Sequence, residues 1–259
     1  EEGIAHSLLV KQELTEAVRQ ADAILKTDPK NETAWQVKVK ALLKSNKPEE
    51  ARQAIHFALA VVENPVPFEL QKIDLDNARN PQQAVLVSQK LAENYPENVA
   101  VLNNLAQKQI QIGEIEKAEQ TLQRSLVLEQ SNPETLVALG MVDRVRGNLD
   151  QALAHLSKAI ELQPGLMEAY LEMGLTYQDR REVNNAIQTY HKAIAMVSND
   201  PRPYLQAAAA YKESRDYRNA EFMLRQASQL SPSDQNIRRQ LAAVVALNIV
   251  NNLQETPKR

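Results

Sequence analysis

Between Met167 and Asp200 the apolar residues recur with the period of a helix. Tyr170, Met173, Gly174 and Tyr177 stand at i, i+3, i+4 and i+7, which is one helical face. A polar break, Gln178-Asp179-Arg180-Arg181, follows, and a second stripe then runs through Ala186, Ile187, Tyr190, Ala193 and Ile194. The pattern predicts two short amphipathic helices joined by a tight turn. Such a pair cannot bury both stripes alone and needs a neighbour of the same kind. Gly174 costs a helix interior about 1 kcal/mol relative to Ala. That cost predicts a close helix approach at Gly174, with Ala186 as the small residue on the facing helix.

The chain supplies the neighbours. Ala17, Ala51, Ala84, Ala118, Ala152, Ala186 and Ala220 are separated by 34, 33, 34, 34, 34 and 34 residues. Sixteen residues before the last six stand Trp35, Phe68, Leu102, Leu136, Tyr170 and Tyr204, all large and apolar or aromatic. Four residues after each alanine come Ala21, Ile55, Ser88, Leu122, Leu156, Tyr190 and Leu224. The repeats this defines are 1–31, 32–64, 65–98, 99–132, 133–166, 167–200 and 201–234, followed by a terminal helix at 235–253. An unbroken period argues for one elongated domain, 1–259, over two globular ones.

A 34-residue period with a large residue, a small one and a later alanine resembles the tetratricopeptide repeat family. The likeness extends over nearly the whole chain. It is best at 167–200 and weakest at 65–98, where Gln71 and Lys72 replace the Leu-Gly pair. The resemblance implies an all-α right-handed superhelix of about seven helical pairs plus a C-terminal helix, first helices lining the concave side. It also implies a non-catalytic scaffold that binds a protein or peptide partner in that groove. The competing expectations are a structural self-assembly module and the adaptor portion of a longer enzyme or envelope-secretion protein.

Along the chain the joints are marked by proline. Pro29, Pro96, Pro164 and Pro232 form one series, and Pro65, Pro133 and Pro201 a second, three residues later in the repeat. Asn64, Asn132 and Asp200 precede the second series, which predicts an N-cap followed by Pro at the first helical position. Pro48 is placed to start a helix in the same way. Gly113 and Gly147 share one internal-turn position, where a positive φ is readily adopted. In the first repeat Ile4, Ala5 and Leu8 read as the first helix and Ala17, Ala21 and Ile24 as the second. The repeat 65–98 departs furthest, with Pro65 and Pro67 at its entry, and is expected to pack through Phe68, Leu75 and Ala84. In the terminal helix Ile237, Leu241, Val245 and Leu253 are apolar. The run Ala242 to Leu247 is more apolar than a solvated cap requires, which predicts cover from another copy or a further segment. Gln254 to Arg259 read as disordered.

Composition narrows the function classes. Lys plus Arg total 30 and Asp plus Glu 33, a net charge of −3 that gives no pull toward nucleic acid or an anionic membrane. With no Cys there is no disulfide, thiol catalysis or cysteine metal site, and the cytosol and an oxidising space such as the periplasm fit equally well. No apolar run approaches the ~18 residues of a membrane span. The chain opens at Glu1 without an initiator Met, so it reads as a processed or partial form, leaving room for a signal peptide, an anchor or a further domain.

Candidate chemistry is sparse. His6, His56, His155 and His191 each stand alone on a helix, without a second ligand at helical spacing. There is no G-x-G-x-x-G, P-loop or G-x-S-x-G, so no cofactor, metal or catalytic residue is expected. Arg144, Arg146, Arg180, Arg181, Lys212 and Arg215 end successive first helices and would make a basic rim. Asp150, Asp179, Glu182, Glu213 and Asp216 balance it, and a mixed solvated edge is the favoured reading.

Two partner types known in the resembled family find no match. A carboxylate clamp would need Lys and Asn where Glu69 and Ile73 stand, Asn where Asn104 stands, and Lys and Arg where Glu134 and Ala138 stand, so four of its five positions are wrong. An asparagine ladder fails because Asn104 aligns with Leu70, Ala138, Glu172 and Gln206. The family's groove positions are instead apolar in three successive repeats. They hold Val137 and Met141, Leu171 and Leu175, and Leu205 and Ala209. Arg144, Gln178 and Lys212 border this stripe on one side, and Glu134, Glu168 and Arg202 on the other. Such a floor suits an amphipathic helix or an extended apolar peptide better than an acidic tail. The alternative is that these side chains pack against neighbouring helices.

Overall fold

In this computed structural model the backbone is described over residues 2–255 and the side chains over 13–251. Fourteen α-helices and no strand appear among them. The chain divides into two compact units, Glu1–Leu128 and Glu129–Arg259. The first holds α1 (Glu2–Thr27), α2 (Glu32–Lys44), α3 (Pro48–Val61), α4 (Val66–Asp76), α5 (Pro81–Asn94), α6 (Val99–Gln111) and α7 (Ile115–Leu128). The second holds α8 (Pro133–Arg146), α9 (Leu149–Leu162), α10 (Met167–Asp179), α11 (Val183–Met196), α12 (Pro201–Glu213), α13 (Tyr217–Leu230) and α14 (Gln235–Glu255). Within each unit successive helices pack on one another, and first helices of adjacent repeats also touch, α4 on α6, α8 on α10 and α10 on α12. This is an all-α helical-repeat fold.

One turn geometry closes five of the six hairpins. Asn46, Gly113, Gly147, Arg181 and Arg215 all have φ between 56° and 82°, and each lies five residues before its repeat alanine. A single left-handed residue reverses the chain and lets the next helix begin two residues on. The sixth hairpin, α4–α5, turns through Asn77 to Asn80 instead, with the Asn80 side chain accepting from the Gln83 N–H. Gln12 occupies the same position in the first repeat, between Lys11 and Glu13, all strong helix formers. No turn forms there. The expected first hairpin is therefore one continuous helix of 26 residues. The side chains of Ile4, Ala5 and Leu8 lie outside the described residues.

The joints follow the proline and asparagine pattern with one exception. Asn31, Asn98, Asn132 and Asp200 accept hydrogen bonds from the first-turn N–H groups of Ala34, Val101, Thr135 and Arg202. Pro48, Pro133 and Pro201 begin their helices. At Asn64-Pro65 the helix starts one residue later. Pro65 is the N-cap in an αR conformation, and the Asn64 side chain accepts from the Val66 N–H. Pro67 one residue into α4 makes a second early proline, and the helix entry shifts to accommodate both. Polar-tipped aromatics add a tether. Trp35 Nε1, Tyr170 OH and Tyr204 OH each donate to the carbonyl six residues earlier, on Pro29, Pro164 and Ser198.

Packing of the hairpins rests on size matching across the pair. A Cβ on Gly174 would lie 2.2 Å from the Tyr190 ring, and one on Gly140 would lie 2.7 Å from Leu156 Cγ. The residue against Gly174 is thus Tyr190, one turn beyond the expected Ala186, which is buried beside it. In the first unit Trp35, Ile55 and Phe68 share one cluster, with Leu75 half-buried against it, and Ala84 enters the next. The divergent third repeat therefore packs through the three residues expected. In α14, Ile237 and Val244 are buried and Leu241 half-buried. Asn248 Nδ2 donates to Glu221 on α13 at 2.9 Å. The helix runs on through Gln254 and Glu255, two residues expected to be disordered. Residues 256–259 and the Leu253 side chain lie outside the described residues.

Gly174→Ala tests the size match. Helix propensity favours the alanine by about 1 kcal/mol, whereas overpacking of this kind costs about 1–3 kcal/mol. The expected result is a less stable protein by chemical denaturation. An unchanged or raised midpoint would mean that the Tyr190 ring yields freely.

Candidate functional site

The residues expected to line a groove all fall in the second unit, on α8, α10 and α12. Their backbones are brought together, since α10 packs against both of the others. Side-chain placement divides by position. Val137 on α8 is only 4% exposed and belongs to the interior. Leu171 and Leu205 are half-buried and pack against the cluster built on Ala186, Tyr190 and Ala207. Met141 and Leu175 are half-buried, and Ala209 is exposed. The accessible apolar row thus runs through Met141, Leu175 and Ala209, one residue per first helix.

The polar border is a bonded network. Arg144 reaches from α8 to α10, with Nη2 3.2 Å from Glu172 Oε2 and Nη1 3.1 Å from Asp179 Oδ2. Tyr190 OH donates to Gln178 Oε1 at 2.7 Å. Gln178 Nε2 in turn donates to Glu213 Oε2 on α12 at 3.0 Å, and Arg181 meets the other Glu213 oxygen at 3.2 Å. Lys212 is exposed at the end of α12. Glu168 and Arg202 pair at 3.3 Å on the opposite border, where Glu134 is also exposed. Arg180 pairs with Asp150 and with Glu182. Arg144, Arg180 and Arg181 of the expected edge therefore pair with Asp179, Asp150, Glu182 and Glu213, and the border carries mixed charge.

Glu172, Asp179, Tyr190 and Glu213 complete this network and were not among the expected groove residues. Their signal was present in the sequence. Arg144 precedes Asp179 by 35 residues, and Gln178 precedes Glu213 by 35, which is one repeat plus one residue. Burial pushes the Glu172 carboxyl above its ordinary value, and Arg144 opposes that shift without cancelling it. Burial, then the nearby Glu172 charge, pushes the Tyr190 phenol upward too. Tyr190 therefore stays a neutral donor to Gln178.

Elsewhere the histidines are held by neighbours. His155 Nδ1 lies 2.8 Å from Asp143 Oδ2, and His191 Nε2 lies 2.9 Å from Tyr211 OH. His56 lines a pocket of about 640 Å³ between α3 and α4, with Phe57, Leu75 and the Arg52–Asp76 ion pair. Among the described residues, no group of His, Asp and Glu is arranged to hold a metal ion. No helix among them is long and apolar enough to cross a membrane.

A family model for the coatomer epsilon subunit matches residues 8–165, and a tetratricopeptide-repeat model matches 201–234. No curated protein matches by sequence. Among solved structures, the APC/C hetero-tetramer Cut9–Hcn1 is 19% identical with a TM-score of 0.63, covering 90% of this chain. This chain spans 46% of that one. A thermophilic tetratricopeptide-repeat protein of Thermus thermophilus is 19% identical with a TM-score of 0.63, over 69% of this chain and 97% of its own. A tetratricopeptide-repeat protein of Parabacteroides merdae is 17% identical with a TM-score of 0.64, over 95% and 98%. These likenesses show the fold.

The Glu172 carboxylate gives a pH test. A carboxyl whose folded pKa exceeds its unfolded value weakens folding while ionised, and that penalty fades as pH falls through the folded pKa. Wild-type protein should therefore gain stability relative to Glu172→Gln as pH is lowered from 7 toward 4.5, the ordinary value for this group. Denaturant titrations of both proteins at several pH values read the difference. A trend in the opposite direction would show that Arg144 outweighs burial.

Proposed function

We propose, for a chain that belongs to the coatomer epsilon subunit family and is built of tetratricopeptide repeats, a non-catalytic role as a protein-interaction scaffold whose second unit holds a partner segment across α8, α10 and α12. The observation that carries this reading is the accessible row of Met141, Leu175 and Ala209, set between two borders of paired charge. Apolar side chains left partly open on a surface whose charges are already paired favour an apolar ligand. An acidic tail would find few cations there: Arg144 and Arg181 have acidic partners, and Lys212 stands at one end.

The preferred partner is an amphipathic helix or an extended apolar segment of another protein. A helix would offer residues at i, i+3 or i+4 and i+7 to the three first helices in turn. Val137, Leu171 and Leu205 contribute by holding those helices at their spacing, and Gln178 and Arg144 fix the border. A family described as a coat subunit also supports a protein partner within a larger assembly.

A displayed set of amphipathic, extended apolar and acidic peptides, titrated against the 259-residue chain, tests the assignment. Apolar peptides should bind in preference to acidic ones. Met141→Asp and Leu175→Asp should each weaken that binding by about tenfold or more, the ~1.4 kcal/mol expected of a contributing apolar contact. Retained helicity by circular dichroism separates this from unfolding. Unchanged affinity in both variants, or selection of acidic peptides, would move the site elsewhere.

A further inference from the structure

Two histidines hold the same position of the repeat, five residues after the repeat alanine: His56 on α3 and His191 on α11. What the next first helix presents to them differs. At His191 it is Tyr211 on α12, whose hydroxyl lies 2.9 Å from His191 Nε2. The two rings meet edge-on, 6.0 Å between centroids at 71°, and His191 is half-buried. One phenol thus fills the space between a second helix and the first helix that follows it.

At His56 the equivalent residue is Leu75 on α4. A leucine has neither the reach nor the hydroxyl, and His56 is exposed. Where the repeat register would put the phenol lies the pocket of about 640 Å³ between α3 and α4, with Ile55, His56, Phe57 and Leu75 in its lining. That volume falls within the roughly 300–1,000 Å³ of ligand sites.

Phe57 is a second departure from the repeat. Its position holds Lys90, Arg124, Lys158, Lys192 and Gln226 in the later repeats, all suited to a solvated face. Phe57 is 60% exposed there and stands edge-on to His56, 6.1 Å between ring centroids. An open aromatic wall beside an imidazole favours a further ring, because aromatic pairs gain from edge-to-face and offset contacts. The rim decides the charge of that ring. Glu49 pairs with Arg52 at 2.6 Å, Arg52 with Asp76 at 2.8 Å, and Asp76 with Lys72 at 3.0 Å. Two acids and two bases satisfy one another, so the pocket suits a neutral group. A ring with one hydroxyl fits, its oxygen on His56 as that of Tyr211 is on His191.

We propose that this pocket binds a tyrosine side chain presented by a partner protein, with Phe57 and Leu75 against the ring and the His56 imidazole on the hydroxyl. A phenol alone is far smaller than the pocket. The chain on either side of a tyrosine fills the remainder, and Gln53, exposed in the lining, is placed to bond its backbone. The site lies in the first unit, so its test is separate from that of the row on α8, α10 and α12.

A five-residue peptide of glycine and serine with tyrosine at its centre is titrated into the full chain, and the His56 ring protons are followed by NMR. Loss of one signal in His56→Gln assigns them. The His56 signal should move and saturate. The same peptide with phenylalanine should bind about fivefold more weakly, the effect of one hydrogen bond. Phe57→Lys, at an exposed position, should weaken binding by about tenfold. Leu75→Tyr should abolish it by filling the pocket from within, and should fold because the chain already holds that pair at His191 and Tyr211. Circular dichroism checks both variants. An unmoved His56 signal overturns the proposal, as does a phenylalanine peptide that binds equally well. Unchanged binding in folded Phe57→Lys and Leu75→Tyr does the same. If p-cresol binds as tightly as the tyrosine peptide, the ligand is a free phenol and the partner protein is excluded.

Discussion

Four of the six hairpins depend on a size relation between two residues sixteen apart. Where the first helix has glycine, the second presents a large side chain: Gly140 meets Leu156, and Gly174 meets the Tyr190 ring. Where the first helix has alanine, as at Ala106 and Ala208, the second has Leu122 and Leu224, all buried. The sum of the two volumes is what the interhelical gap must hold, because interiors are packed to near-crystalline density. The third repeat breaks the relation, with exposed Lys72 in the small position and Ser88 opposite it. Ser88 there turns to a hydrogen bond with Asn104 on the following repeat at 2.8 Å. The hairpin with the weakest internal match is thus tied forward by a polar contact.

Polar contacts replace apolar ones in the fourth repeat as well. Thr121 Oγ1 donates to Gln109 Oε1, and Ser125 Oγ to Asn103 Oδ1, both between buried groups. Buried hydroxyls and amides of this kind are tolerated only when bonded, and once bonded they fix one register against alternatives. A stack of near-identical helices needs such markers. Sliding by one turn would keep many apolar contacts but would break these two bonds between helices.

The repeat frame was legible because it is written in residues with one dominant role. An alanine whose neighbour leaves no room for a side chain, or a proline at a helix start, reads the same in any context. The left-handed turn was legible at Gly113 and Gly147 and hidden at Arg181 and Arg215, where the conformation is imposed by the flanking helices and not by the residue. The first repeat was misread because periodicity reports which face of a helix is apolar, and a continuous helix keeps its face as well as a hairpin does. Only the lack of a turn residue near Gln12 carries the difference. The candidate groove was half legible. Apolar residues on a first helix serve the interior and the surface from adjacent positions, and a few residues' difference in facing decides between Leu171 and Leu175. The bonds from Arg144 to Glu172 and from Gln178 to Glu213 depend on the offset between repeats, which no single repeat contains.

Under the proposed function, those inter-repeat bonds would link recognition to the stack itself. Arg144 and Gln178 lie on the border of the accessible row and also hold α8 to α10 and α10 to α12. A ligand that spreads these helices must break bonds made by a desolvated carboxylate, Glu172, whose charge Arg144 offsets. A ligand that follows the existing spacing leaves them intact. In the proposed role the polar network would therefore select for segments whose apolar residues match the distance between first helices. Val137, Leu171 and Leu205 lie buried or half-buried on the same three helices. On the proposed function, the side chains that build the interior of the second unit would thus also define the pitch that a partner segment must present.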